Sequence, residues 1–433
     1  MQLKPLRISL MLCAGVLTIQ AATDFGHADF SHPDFFPILP WSPVHQWDGS
    51  ARDNRIHGLA SIAECGFNMA GFVHAKDLPE CERLGLGAIL FPAAAGLSAR
   101  YHREWSRLSD EEIDLRVKKI IEASGSSPAI AGYFIADEPG LGAFPALGKA
   151  VAAVRKYAPG KWAYINLFPN YATLGATNTS QLGAATYEDY LERFISEVRP
   201  QVLSYDNYMV QYSNDLDLHD RAASYFLNLA QVRRAGIKHN LPCVQIVASN
   251  QLRRGRPIPT PANLRLQAYT TLAAGYRGVS WYNYYGRQYN YAPVDASGQK
   301  TETWNYLQAV NREVQALTPT LRKLRAKGFY FTAPAPEKSL PLLPGTVVTG
   351  ITSTTPMMAG EFENSAGEAW VLLVNLSLAQ SARFTLQTTS TRSWARVSAV
   401  DGELRPFQAD SDGHWLAPGA GVLLRQTTNQ TEH

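Results

Sequence analysis

Two adjacent acids, Asp137 and Glu138, end the run Ile130–Gly140, which reads Ile-Ala-Gly-Tyr-Phe-Ile-Ala-Asp-Glu-Pro-Gly. The apolar first half of this run has the pattern of a strand buried on both faces of a parallel sheet. Pro139 and Gly140 cannot extend that strand. Carboxylates at the carboxyl end of a buried parallel strand stand where α/β barrels and open sheets keep their chemistry. The plainer alternative is that the two acids cap the helix that begins near Gly142. A third acid, Asp206, ends another apolar run in Ser204-Tyr-Asp-Asn-Tyr208. Two carboxyl groups facing one bond, one protonated and one ionised, are what hydrolysis of a glycosidic bond requires.

The elements that would carry these acids recur along the chain. Strands are predicted at Phe36–Trp41, Phe67–Val73, Gly87–Pro92, the opening run, Trp162–Phe168, Val202–Met209, Cys243–Ala248 and Gly278–Tyr284. Helical patterns separate them: Asn54–Cys65, Lys76–Leu84, a helix opened by the Ser109/Glu112 capping box, Phe144–Tyr157, Tyr187–Val198, Ala222–Ala235, one started by Thr260-Pro261, and Thr303–Leu317. Strict alternation implies parallel βαβ units, and eight of them fit a closed (β/α)8 TIM barrel better than an open sheet. From about Lys327 the helical periodicity stops. Short apolar runs alternate with Pro, Gly, Asp and Ser, the pattern of an antiparallel β-sandwich. The expected organisation is an export signal over 1–22, an α/β barrel over 23–326 and a sandwich over 327–433.

At 433 residues the chain exceeds what one hydrophobic core usually supports. Lys4 and Arg7 precede the apolar run Ile8–Ile19, with Ala21 and Ala22 as a small-residue cleavage site, so a secreted or periplasmic protein is expected. No later segment is long and apolar enough for a membrane helix, so no membrane insertion is expected after signal cleavage. The net charge of +3 is small and its basic residues are dispersed, so no nucleic-acid partner is expected. Cys65, Cys81 and Cys243 permit at most one bridge and fit buried free thiols better. His45, His74 and His102 lie on separate loops without ligand spacing, so neither a metal nor another cofactor is expected. No Gly-x-Gly-x-x-Gly follows a strand, and there is neither a Walker A pattern nor a Gly-x-Ser-x-Gly elbow. Oligomeric state is not legible.

In a barrel, the site is built at the carboxyl ends of the strands. Besides the three acids and Asp48, those rims carry Trp41, Trp47, His74, Asn166, Asn170, Tyr208, Gln245, Asn250, Trp281 and Tyr282. Acids, amides and aromatics without a histidine cluster suit a polyhydroxylated ligand, with Trp281 or Tyr282 beneath a sugar ring. Arg253, Arg254 and Arg256 follow strand seven. They read either as a solvated loop or as guanidinium groups for an acidic sugar or a sulfate.

Gly132-Tyr-Phe-Ile-Ala-Asp-Glu-Pro resembles the strand-four signature of clan A glycoside hydrolases, where Asn-Glu-Pro supplies the acid/base. The segment Tyr289–Lys300, followed by Thr-Glu-Thr-Trp, is similar to the stretch after the barrel in family 42-like β-galactosidases and in secreted bacterial relatives. The resemblance covers most of residues 30–325 and implies Glu138 as the proton donor. The chain departs from the pattern in two places. Asp137 replaces the Asn that binds the sugar hydroxyl beside the anomeric carbon. Strand seven, Pro242–Asn250, has no acid where the family has its nucleophile. Asp206 is the leading second carboxylate, since acids on strands four and six pair in several α-glycosidase barrels, and Asp137 is expected to bind substrate. The expected function is an exported glycosidase acting on oligo- or polysaccharides, with a non-catalytic carbohydrate-binding barrel as the alternative.

Overall fold

A computed structural model describes residues 35–41, 58–91, 105–212, 219–286, 289–409 and 413–427. The export segment, His45, Trp47, Asp48 and His102 lie outside the described residues. Strands β1 (Ile38–Pro40), β2 (Met69–Val73), β3 (Gly87–Leu90), β4 (Ile130–Asp137), β5 (Trp162–Leu167), β6 (Leu203–Asp206), β7 (Cys243–Ala248) and β8 (Gly278–Tyr282) form one parallel sheet. Hydrogen-bonded neighbours run from β2 stepwise to β8, and β8 pairs with β1. The seam between β1 and β2 is closed largely by one side chain. The Asn68 carboxamide accepts from the Ile38 N–H at 2.8 Å and donates to the Phe36 carbonyl at 2.9 Å. Its main-chain N–H donates to Ile38 O at 3.3 Å. The fold is the expected (β/α)8 barrel with an antiparallel sandwich behind it.

Each strand is followed by a helix: α1 (Leu59–Glu64), α2 (Leu78–Leu84), α3 (Asp110–Ser124), α4 (Phe144–Tyr157), α5 (Tyr187–Val198), α6 (His219–His239), α7 (Pro261–Ala273) and α8 (Glu302–Leu321). Local chemistry sets their starts. Ser109 accepts from the Glu112 N–H at 3.2 Å while the Glu112 carboxylate accepts from Ser109 N–H at 2.7 Å, the reciprocal cap that opens α3. Thr260 caps α7 by accepting from the Asn263 N–H, with Pro261 at the first helical position. The sixth strand is shorter than its apolar run implied. It stops at Asp206, and Met209–Tyr212 coils into a 3₁₀ turn. Cys65, Cys81 and Cys243 are buried free thiols, and burial pushes the Cys243 thiol up to about 11.

Leu39, Met69, Ile89, Ala131 and Ile246 fill the barrel interior, with Phe72, Phe134 and Tyr164 above them and Trp41 on top. The Trp41 ring meets Phe72 edge-on at 4.7 Å and lies 6.0 Å from Phe134 and from Tyr164. This aromatic layer lies between the aliphatic interior and the carboxyl ends of the strands.

The antiparallel part opens at Arg325. Strands β9 (Arg325–Phe331), β11 (Met357–Glu363), β12 (Ala369–Asn375), β14 (Trp394–Val397), β15 (Leu404–Pro406) and β17 (Gly421–Gln426) form one sheet, and β10 (Val348–Ser353), β13 (Ala382–Thr388) and β16 (His414–Leu416) the other. The larger sheet packs on α7. A Cβ at Gly360 would strike the Ala273 carbonyl, and one at Gly421 would meet the Tyr269 ring, so glycine is what lets the sheet approach the helix. Fully buried Glu361 accepts from the N–H groups of Thr346, Val347 and Val348 at 2.9, 2.8 and 2.8 Å. A carboxylate here holds three backbone donors that would otherwise be buried unpaired. Glu361→Gln, whose amide turns a donor toward them, is expected to lower unfolding stability by about 2–3 kcal/mol in urea titrations.

Candidate active site

A bulge shapes the end of β4. The pairing register with β5 shifts between Phe134 and Ala136. The carbonyl of the intervening Ile135 accepts from the buried Trp105 indole at 2.9 Å, so the bulge leaves no orphaned acceptor. Asp137 then stands opposite Asn166 on β5. Successive strand residues normally point to opposite faces. Glu138 breaks that rule with φ 47°, a left-handed conformation that costs a non-glycine residue about 1–2 kcal/mol. The turn brings both adjacent acids into the wall of one cavity. It is held from outside. The Glu138 N–H donates to Asn166 O at 2.8 Å, and the Tyr190 hydroxyl from α5 donates to the Pro139 carbonyl at 2.8 Å.

The cavity, about 530 Å³, opens at the carboxyl ends of the strands. This is the size of an ordinary small-ligand site. Asp137, Glu138, Asn166 and Asp206 form one wall, and Tyr208, Tyr282 and Tyr289 another. Trp41 contributes to the floor, while Arg253 and Arg256 enter from the loop after β7. The Tyr208 and Tyr282 rings lie 5.2 Å apart, and the Tyr282 and Tyr289 hydroxyls share a 2.6 Å hydrogen bond.

One amide organises the acids. Asn166 Nδ2 donates to Asp137 Oδ1 at 3.1 Å and to Asp206 Oδ1 at 2.9 Å, which keeps the two oxygens within about 6 Å of each other. The orientation of this amide follows from its other end. Asn166 Oδ1 accepts from Ser204 Oγ at 3.3 Å, and the Ser204 and buried Tyr164 hydroxyls share a 2.8 Å bond. Asp206 is 3% exposed. Desolvation first, then the charges of Glu138 and Asp137, hold its carboxyl well above the usual carboxylate range. Burial and neighbouring charge thus favour the protonated form of Asp206, and Glu138, which the strand-four resemblance implies as the proton donor, stands in the same wall. Among the described residues no group of three or more His, Cys, Asp or Glu side chains is arranged to hold a metal ion.

Of the residues singled out from sequence, Asp137, Glu138, Asp206, Trp41, Asn166, Tyr208, Tyr282, Arg253 and Arg256 meet at this cavity. Trp281, Gln245, Asn250, His74, Asn170 and Arg254 do not line it. Trp281 is fully buried against α8, its indole donating to Asn311 Oδ1 at 3.0 Å. Gln245 also points outward, accepting from Thr271 Oγ1 of α7 at 2.7 Å. In both pairs the strand alternates, and the inward positions fall to Tyr282 and Ile246. Asn250 donates to Asn283 Oδ1 at 3.2 Å and ties the β7 rim to the β8 rim. His74 starts the 3₁₀ turn Ala75–Asp77, where its N–H donates to Asp77 Oδ2 at 3.2 Å. Tyr289 and Tyr171 line the cavity and were not among the expected residues. Their signal was only a tyrosine in a loop beyond a strand.

No protein-family model and no curated protein matches this chain. Solved structures do. A glycoside hydrolase family 5 protein from Bacteroides vulgatus matches with TM-score 0.56 at 13% identity, over 90% of this chain and 89% of that one. An Anoxybacillus α-amylase matches with TM-score 0.50 at 12% identity, over 92% and 99%. The β-galactosidase of the psychrophilic Marinomonas ef1 aligns over 66% of this chain at 12% identity and TM-score 0.47, and this chain spans 61% of its length. What this chain shares with the first two is the fold, a (β/α)8 barrel followed by a β-sandwich.

Proposed function

We propose that the protein is a glycoside hydrolase working on oligo- or polysaccharides, with retention of anomeric configuration. The observation that carries this reading is the Asp137–Asn166–Asp206 bridge at the mouth of the barrel, beside the tyrosine wall. An acid whose protonated form is favoured stands across one amide from a second carboxyl group, the bridged oxygens no more than about 6 Å apart, short of the ~6.5–9.5 Å that leaves room for water between the carboxyl groups. In this reading the Asp206 proton passes to the glycosidic oxygen as the bond to the anomeric carbon breaks. An Asp137 carboxylate oxygen forms the new bond to that carbon. Water then displaces Asp137, giving its proton back to Asp206. Glu138 supplies the negative charge that helps keep Asp206 protonated, and Tyr208 and Tyr282 offer ring faces to the sugar. The N-terminal basic and apolar segment supports export as the setting.

The purified protein is expected to release reducing ends from members of a broad oligosaccharide panel, with the first-formed product anomer matching the substrate in proton NMR. An inverted product would remove Asp137 as nucleophile. Calorimetric binding without turnover across the panel would instead identify a binding barrel.

A further inference from the structure

Arg253 and Arg256 stand in the wall of the same cavity as the acids. The loop that carries them is built to present both. The Arg256 N–H donates to the Arg253 carbonyl at 3.1 Å, closing a turn in which Gly255 adopts φ 80° with open space around it. The turn is pinned at both ends. The Gln251 side chain donates to the Arg256 carbonyl, and the Gln251 N–H donates to Asn290 O at 2.9 Å, joining the loop to the segment that carries Tyr289. Arg253 is exposed, and its guanidinium makes no ion pair among the described residues. The cavity is thus polarised, with carboxyl groups on the strand-four to strand-six wall and guanidinium groups on the loop after β7.

A neutral sugar gives little reason for this polarity. Hydroxyls can be held by amides and tyrosines, which the cavity also carries, whereas a planar cationic fork matches a carboxylate or sulfate oxyanion. The carboxyl groups lining the same cavity repel that anion, which gives the ligand one orientation. We propose that the substrate is an anionic saccharide, its ring carboxylate or sulfate ester held by Arg253 and Arg256 while its glycosidic oxygen faces Asp206. This rests on the carbohydrate-site reading above and names its substrate class.

Calorimetric titration of the full chain tests it. The probes are glucuronide- and galacturonide-terminated oligosaccharides and sulfated galactose oligosaccharides, each paired with the neutral oligosaccharide of the same linkage. The carboxylated and sulfated arms distinguish the two sources of the anion. At least one anionic probe is expected to bind about 10-fold or more tightly than its neutral partner, with a preference that shrinks as salt rises. Arg253→Gln and Arg256→Gln should each reduce that preference by about 10-fold, to parity where it starts at about 10-fold, the lower end of what a charged hydrogen bond contributes. Three results would overturn the inference: neutral partners bound equally or more tightly, no anionic probe bound, or arginine variants that weaken both members of a pair alike. Turnover of neutral oligosaccharides alone would remove this inference and leave the hydrolase reading in place. Arginine-dependent binding of an anionic saccharide that is never cleaved would do the reverse.

Discussion

Asp206→Asn is expected to lower kcat/KM by about 10²–10⁴-fold, the contribution of a positioned general acid, while making the folded protein more resistant to heat. The substituted side chain has the same shape, and its oxygen can still accept from Asn166, so the site's geometry survives. What disappears is a buried ionisable group whose charged form is penalised by desolvation and by Glu138 and Asp137. The sign of the stability change follows from linkage. In the unfolded chain this carboxyl releases its proton near pH 4, but the folded protein holds it to higher pH. Between those two values the folded state binds more protons, so Asp206 makes wild-type stability fall as pH rises. The variant lacks that loss. Its melting temperature should exceed that of wild type at pH 7–8, and the difference should vanish below about pH 4. The basic limb of the activity profile, set by loss of the Asp206 proton, should be missing from any residual activity. An Asp206→Asn protein that melts below wild type at pH 7–8, or retains full activity, would exclude Asp206 as the buried acid.

Glu138→Gln is expected to lower kcat at pH 7 by about 10²-fold or more, with a shape of pH dependence that identifies its role. Removing the Glu138 charge takes away the largest charge effect raising Asp206, so the basic limb should move to lower pH. Loss of activity with an unmoved limb would mean that Glu138 exchanges protons with substrate itself, as the strand-four resemblance implied. Glu138→Gly provides a second readout. It abolishes the same charge and also relieves the φ 47° backbone, so it should add about 1 kcal/mol of stability relative to Glu138→Gln. A residue that weakens the fold through its conformation while serving the cavity is where activity and stability are expected to oppose each other.

The barrel was legible because its signals are local and repeated. Buried parallel strands read as apolar runs, helix starts carry Ser109 or Thr260-Pro261, and Pro139-Gly140 ends β4 within a residue of where its apolar pattern breaks. The acids were legible for the same reason, since a carboxylate at the end of an apolar strand has few places to go except the rim. Strand parity was not legible. Both faces of β7 and β8 are buried, so no polar alternation marks which of Gln245 and Ile246, or of Trp281 and Tyr282, faces inward. The register with neighbouring strands decides that, and it sends Trp281 to Asn311 of α8 and Tyr282 to the cavity.

Asn166 was expected to touch a ligand, and it does line the cavity; its amide also spans Asp137 and Asp206, a relation between three strands that no spacing along the chain encodes. The same holds for the titration of Asp206, which burial and the charges of neighbours from another strand push up. By itself the sequence determined the eight βα units, the sandwich behind them and which residue types reach the rim, since each depends on contacts within one element. Only the tertiary structure decided which side chains meet, that burial raises the Asp206 carboxyl and that two arginines share a cavity with three carboxyl groups. Those properties arise from distances and desolvation between elements far apart in the chain.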